Sequence, residues 1–135
     1  MRKASVPLIP AAVILTFKTR LAAMRAVVWR CAREAGLSDI RAADLVIAAN
    51  EVAANTMRHA RTAGTLAIWH DADEITCQVT DTGVNHDPLA GARIPRNGAT
   101  TGYGLWIVHR VCDRVDLHSD ESGTTVRMHM SLEAH

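Results

Sequence analysis

Four small groups of residues in this chain have the types and spacings that chemistry needs. Glu51 and Asn55 stand four apart, so on a helix they project to the same side. The Glu51 carboxylate can orient or deprotonate a nucleophile. The Asn55 side-chain oxygen suits Mg2+, which takes few protein ligands and keeps phosphates and water for the rest. Asp81-Thr82-Gly83 ends an apolar strand pattern; a carboxylate there can accept a hydrogen bond from an exocyclic amine, and Gly83 lets the backbone turn close to a planar ligand. Gly102-Tyr103-Gly104 precedes a helical pattern, and free amides at a helix start make an anion site. Gly123-Thr124 opens a final strand in which Thr124 shares phase with Val126, Met128 and Met130, turning its hydroxyl inward.

Each group alone also has a plain reading. An E-x-x-x-N spacing arises by chance on surface helices, Asp81 serves equally as a turn former or cap, and an inward Thr124 can bond to backbone. The glycine pair is neither a Walker loop, which needs G-x-x-x-x-G-K-[ST], nor a dinucleotide fingerprint, which needs a third glycine.

The elements that must position these groups follow from periodicity. A first strand is expected at 13–17. Thr19 caps a helix over 20–35, with Leu21, Met24, Val28, Cys31 and Ala35 at spacings of three and four, and Gly36 stops it. Ser38 caps a second helix over 39–59. On a wheel, Val46, Ala49, Ala53, Met57 and Ala60 fall on one side, with Asp44, Ala48, Glu51, Asn55 and Arg58 opposite. That narrow polar stripe on an alanine-rich helix favours a ligand or cavity over a solvated face. Strands at 65–70 and 75–81 form a hairpin around Asp71-Ala72-Asp73-Glu74. Ile75, Cys77 and Val79 alternate inward, and Asp81 continues their phase, where a carboxylate is costly without a partner. The stretch 84–101 has no periodicity and carries Pro88, Gly91, Pro95 and Gly98, as lids and binding loops do. A helix over 105–113 and strands at 115–119 and 124–130 complete the pattern. His59 is placed to cap the second helix's C-terminus, His86 beside Asp87 lacks a third metal ligand, and Trp69 and Trp106 are expected in the core.

The whole chain bounds these readings. Its 135 residues, 48% hydrophobic and 21% charged, suit one domain: residues 13–135, after a disordered start over 1–12. A net charge of +1 gives no global field toward nucleic acid or membrane. Cys31, Cys77 and Cys112 are odd in number and far apart in sequence, so they read as buried hydrophobes in a reducing, cytoplasmic compartment. The apolar run from Val6 to Phe17 is broken by Pro7 and Pro10 and is shorter than the about 20 residues a membrane span needs.

Taken in order, a helical E-x-x-x-N, a strand-terminal D-x-G, a flexible loop, a G-x-G on a helix and a final G-T resemble the N, G1, G2 and G3 boxes of the GHKL (Bergerat) ATPase/kinase superfamily. The runs LVIAANEVAANTMRHA, VTDTGVNHDPLAG, GYGLWIVHRVCDRVDL and GTTVRMHM resemble the bacterial anti-sigma-factor serine/threonine kinases. The resemblance implies an α+β fold: a two-layer α/β sandwich, with a mixed, mostly antiparallel sheet and helices on one face. It implies ATP and Mg2+ as cofactors, Glu51 as catalytic base, Asn55 as Mg2+ ligand, Asp81 as the adenine acceptor with Thr124 assisting, and Gly83 lining the base pocket. Gly102, Gly104 and Leu105, with nearby amides, would hold phosphates. Its partners would be a sigma factor and a STAS-domain anti-anti-sigma protein, with a homodimer as the family's assembly. Asn85 replaces the second glycine of the family's usual D-x-G-x-G, which leaves open a nucleotide-binding module that sequesters its partner without transferring phosphate.

Overall fold

The computed structural model describes residues 12–18, 20–60, 64–81, 100–120 and 123–132. Residues 1–11 of the expected disordered start, Thr19, Gly83, Asn85, His86, the His59 side chain and the 84–99 part of the expected lid lie outside that description. The elements run β1 (Val13–Phe17), α1 (Leu21–Ala35), α2 (Asp39–Ala60), β2 (Gly64–His70), β3 (Glu74–Asp81), α3 (Thr100–Val111), β4 (Arg114–Asp120) and β5 (Gly123–Ser131).

Local chemistry sets most of these boundaries. Arg20, in an extended conformation with no side-chain cap, occupies the N-cap of α1. The helix ends where the Gly36 N–H bonds Arg33 O at 3.1 Å and the Leu37 N–H bonds Ala32 O at 3.0 Å, closing the C-terminal turn. Ser38 caps α2 as expected: its Oγ accepts the Arg41 N–H at 3.2 Å. The β2–β3 turn is held by Asp71, whose Oδ1 accepts the N–H groups of Asp73 and Glu74 at 2.7 and 2.9 Å. Those two bonds favour the ionised carboxylate and hold it below its ordinary pKa.

The sheet order is β1-β2-β3-β5-β4, and every pair is antiparallel. The mixed sheet expected from the sequence is therefore wholly antiparallel among the described strands. The cause is the place of β5. Because β3 and β4 both pair antiparallel to it, they run parallel to each other, and β5 fills the gap where they would otherwise meet.

One sheet face is apolar. Leu66, Val79, Val126 and Leu117 form one cross-strand row, with Ile68, Cys77, Met128 and Val115 in the next. Met24, Val28 and Ala32 of α1, Leu45, Ala49, Val52 and Ala53 of α2, and Val108 of α3 pack into the same core. The other face is polar, and Trp69, expected in the core, lies in its phase. Trp69 is buried there, with the Arg127 guanidinium 5.5 Å above its ring. Beside it, buried His129 faces Thr76 Oγ1 at 3.1 Å and Asp116 Oδ2 at 3.1 Å. No described helix is long and apolar enough to cross a membrane.

Candidate functional site

One end of the molecule is pinned by Arg41, near the start of α2. Its guanidinium donates to Ser131 O at 2.7 Å and to Asp113 Oδ2 at 2.8 Å, and Asp113 Oδ2 also accepts the Ser131 N–H at 2.6 Å. Since Ser131 pairs with Glu74, the N-terminus of α2, the C-terminal side of α3, the start of β3 and the finish of β5 all meet here. From this pin, Asn55 is roughly 21 Å along α2 at 1.5 Å per residue. Asp81 is roughly 23 Å along β3 at 3.3 Å per residue. Asp81 thus lies at the far end of β3 from the pin, and Asn55 toward the far end of α2. Thr124 is the register partner of Asp81, and Ser119 the register partner of Thr124, so these three stand side by side on β3, β5 and β4.

Buried polar side chains mark these positions. Asn55 is 9% exposed, Asp81 6% and Thr124 3%. Glu51, one turn before Asn55, is only partly buried, as a group meeting an incoming reactant must be. The inward phases expected for Asp81 and Thr124 hold. Asp81 makes polar contacts of its own, while its Oδ1 is enclosed and accepts no hydrogen bond from the described residues. A buried carboxylate oxygen next to a buried hydroxyl, at the mouth of an apolar core, suits a flat apolar ring carrying an amine donor.

Gly102, Gly104 and Leu105 fall in the first turns of α3, which begins at Thr100 rather than at Leu105. The helix amides with no partner inside the helix thus belong to Thr100–Gly102. Glycines and threonines argue for a later start on propensity, yet the backbone is helical from Thr100. Two polar residues of this end escape the sequence reading. Ser119 Oγ lies 3.2 Å from Thr124 Oγ1, and Thr56 is buried beside Asn55 in the chain. The phase of Val115, Leu117 and Ser119 was available, but their pairing with β5 was not.

Metal ligation by the protein alone finds no cluster among the described residues. A single amide oxygen such as that of Asn55 fits a metal that arrives with phosphates. The cysteines are free and lie in or against the core; burial pushes the Cys112 thiol from 9.0 up to about 12 and raises Cys77 further.

No curated protein matches the chain. The family model of the histidine kinase-like ATPase domain, in contrast, matches residues 16–130, a span that runs from β1 to the end of β5 and takes in every residue of the site. An antiparallel sheet with three helices packed into its core, and with Asp81 and Thr124 buried as register partners, agrees with that match, and the chain belongs to the histidine kinase-like ATPase domain family.

Proposed function

We propose that this ATP-binding domain is an anti-sigma-factor-like protein serine/threonine kinase that binds Mg-ATP and phosphorylates a STAS-type partner in bacterial transcription regulation. The observation that carries the ATP site is Asp81. A carboxylate 6% exposed, in the apolar phase at a strand end and in register with Thr124, is an expensive arrangement for a mere turn former. It is well used as the acceptor for the adenine amine.

The residues then divide the work. Asp81 and Thr124 would hold the base next to the buried Val79–Val126 pair of the neighbouring core row. Asn55 supplies the oxygen that would hold Mg2+ against the phosphates. The first-turn amides of α3 would meet the phosphate charge. Glu51, partly exposed on the same helix face as Asn55, is placed to take the proton of an incoming serine or threonine hydroxyl. ATP, when bound, supplies the transferable phosphoryl group, and the protein's part is positioning and charge neutralisation. A second reading, a sequestering module that binds nucleotide without transfer, is favoured by Asn85 at the position of the family's second glycine.

Calorimetry tests the site first. Asp81→Asn should weaken ATP and ADP binding by about 5- to 150-fold, the equivalent of about 1–3 kcal/mol; equal affinities would remove Asp81 from the site. Incubation with a cognate STAS protein and labelled ATP tests the activity. Binding of both partners with no transfer would leave the sequestering module.

A further inference from the structure

We infer, resting on the phosphoryl-transfer reading above, that the exposed strip of α2 carrying Ile40 and Ile47, with Trp29 of α1 beside it, is where the substrate protein docks, and that this partner meets it with an apolar side chain flanked by acidic groups. Ile40 is 76% exposed, Ile47 47% and Trp29 39%. They are three of the four large apolar side chains exposed among the described residues, and all three stand on the helical layer. α2 packs against both α1 and α3, so a narrow face of it remains outward. At about 100° per residue, Ile40, Ile47 and Glu51 fall within about 40° of one another on that face. Ile47 is one turn before Glu51, about 6 Å along the axis.

The neighbouring helix brings Trp29 alongside. Arg25, Trp29 and Arg33 are spaced by four on α1 and share one stripe. Arg25 Nη1 donates to Asn50 Oδ1 at 2.9 Å, and Arg33 Nε pairs with Asp39 Oδ1 at 2.9 Å. Trp29 therefore stands between two links to α2, abreast of the middle of the Asp39–Asn50 stretch that holds Ile40 and Ile47. Single exposed apolar side chains are ordinary, but three gathered beside a proposed catalytic base mark an interface. A hydroxyl delivered to Glu51 by a protein brings that protein's adjoining surface over Ile47, since one turn separates the two. The charges around the strip complete the description of that surface. α1 exposes Arg25, Arg30 and Arg33 against a single acid, Glu34. Asp39 matches Arg33, whereas Asn50 is neutral and leaves the Arg25 charge in place. Acidic groups around the partner's apolar contact complement this rim.

The test titrates the cognate STAS-type protein into the domain by calorimetry with ADP present, so that no phosphoryl group is transferred. Ile47→Ser and Trp29→Ser should each weaken partner binding by about 10- to 30-fold, the loss of an interface anchor. ADP affinity should stay within about twofold, and Ile47→Leu should bind the partner as wild type does. Arg30→Glu should slow association and flatten its dependence on salt. The substituted side chains are exposed, so the core is untouched and the circular dichroism of each variant should match wild type. Wild-type partner affinity in both Ile47→Ser and Trp29→Ser overturns the docking surface, and so does a wild type with no affinity for the partner. The transfer reading fails by a separate result. A wild type that binds the partner and ATP without phosphorylating the partner ends the kinase, and the docking surface then stands or falls on the same Ile47→Ser titration.

Discussion

Asn55 and Glu51 lie one turn apart on α2, and their different burial separates their tasks. Asn55 is 9% exposed, and in the proposed assignment its side-chain oxygen holds the metal. Asn55→Ala should therefore weaken Mg-ATP binding and abolish phosphoryl transfer together. Glu51 is partly exposed, and in the proposed assignment it acts on the incoming nucleophile. Glu51→Ala should keep ATP affinity within about twofold while transfer falls about 10²–10⁴-fold, the usual contribution of a general base. Measuring ATP affinity and STAS phosphorylation on both variants checks the division; transfer at wild-type speed by Glu51→Ala would end its role as base. Cys112 makes a different statement. Its folded pKa is raised by burial to about 12 from 9.0, so its neutral form stabilises the fold fully below pH 9. That contribution is lost as pH rises from 9 toward 12, because the unfolded chain ionises first. Thermal unfolding between pH 8 and 11 should show this decline, and Cys112→Ala should flatten it.

At the scale of elements, the closest fit is between β1 and β2. Phe17 pairs with Gly64, and a Cβ on Gly64 would come within 2.8 and 2.9 Å of the Phe17 ring Cε atoms. Phe17 is itself buried, so the ring has little room to retreat. Gly64→Ala should cost about 1–3 kcal/mol and loosen the edge strand, visible as faster amide exchange in β1 than in β3. A variant as stable as wild type would show that the ring yields. How much of this architecture the sequence discloses depends on range. The strands of the β2–β3 hairpin and the inward phase of Asp81 are legible because alternation and a short Asp-rich turn are local signals. The helix bounds of α1 and α2 follow from Gly36 and Ser38. The start of α3 is not legible: Thr100-Thr101-Gly102-Tyr103-Gly104 has poor helix propensity, so local signals point to a later start than the one observed. Trp69 is buried as expected, but on the face away from the helices. Leu66 and Ile68 already claim the core face, so the residue between Ile68 and His70 must point away. Ser119 is invisible for another reason: only the pairing of β4 with β5 brings it to Thr124.

For the molecule as a whole, Arg41 joins two helices and the sheet at the end away from the site. Its partners, Asp113 and Ser131, lie 72 and 90 positions away in sequence. Arg41→Leu removes two charge-assisted bonds. A loss of about 1–3 kcal/mol follows, seen as a Tm lower by roughly 3–12 °C, with ATP affinity unchanged if the proposed site lies at the other end of the sheet. A lowered ATP affinity in the folded variant would mean that the pin and the proposed site are coupled.

The position of β5 between β3 and β4 also has a consequence for how the chain is made. The last strand to be synthesised is one of the central strands of the finished sheet. Until residue 131 has left the ribosome, β3 has an unsatisfied edge, β4 has no neighbour, and Thr124 is missing from the site. At about 5–20 residues per second, the stretch from the end of α3 to the end of β5 takes about 1–4 s. During that interval Cys77, Val79 and Ile75 lack the Met128, Val126 and Met130 that cover them, and the open edge is a template for any other extended chain. A fragment ending at residue 122 reproduces the nascent species. It should remain unfolded by circular dichroism and aggregate at micromolar concentration, while the complete chain stays dispersed. The cell therefore meets this domain first as an open-edged intermediate, and the nine residues of β5 decide whether it becomes a finished sheet or a deposit.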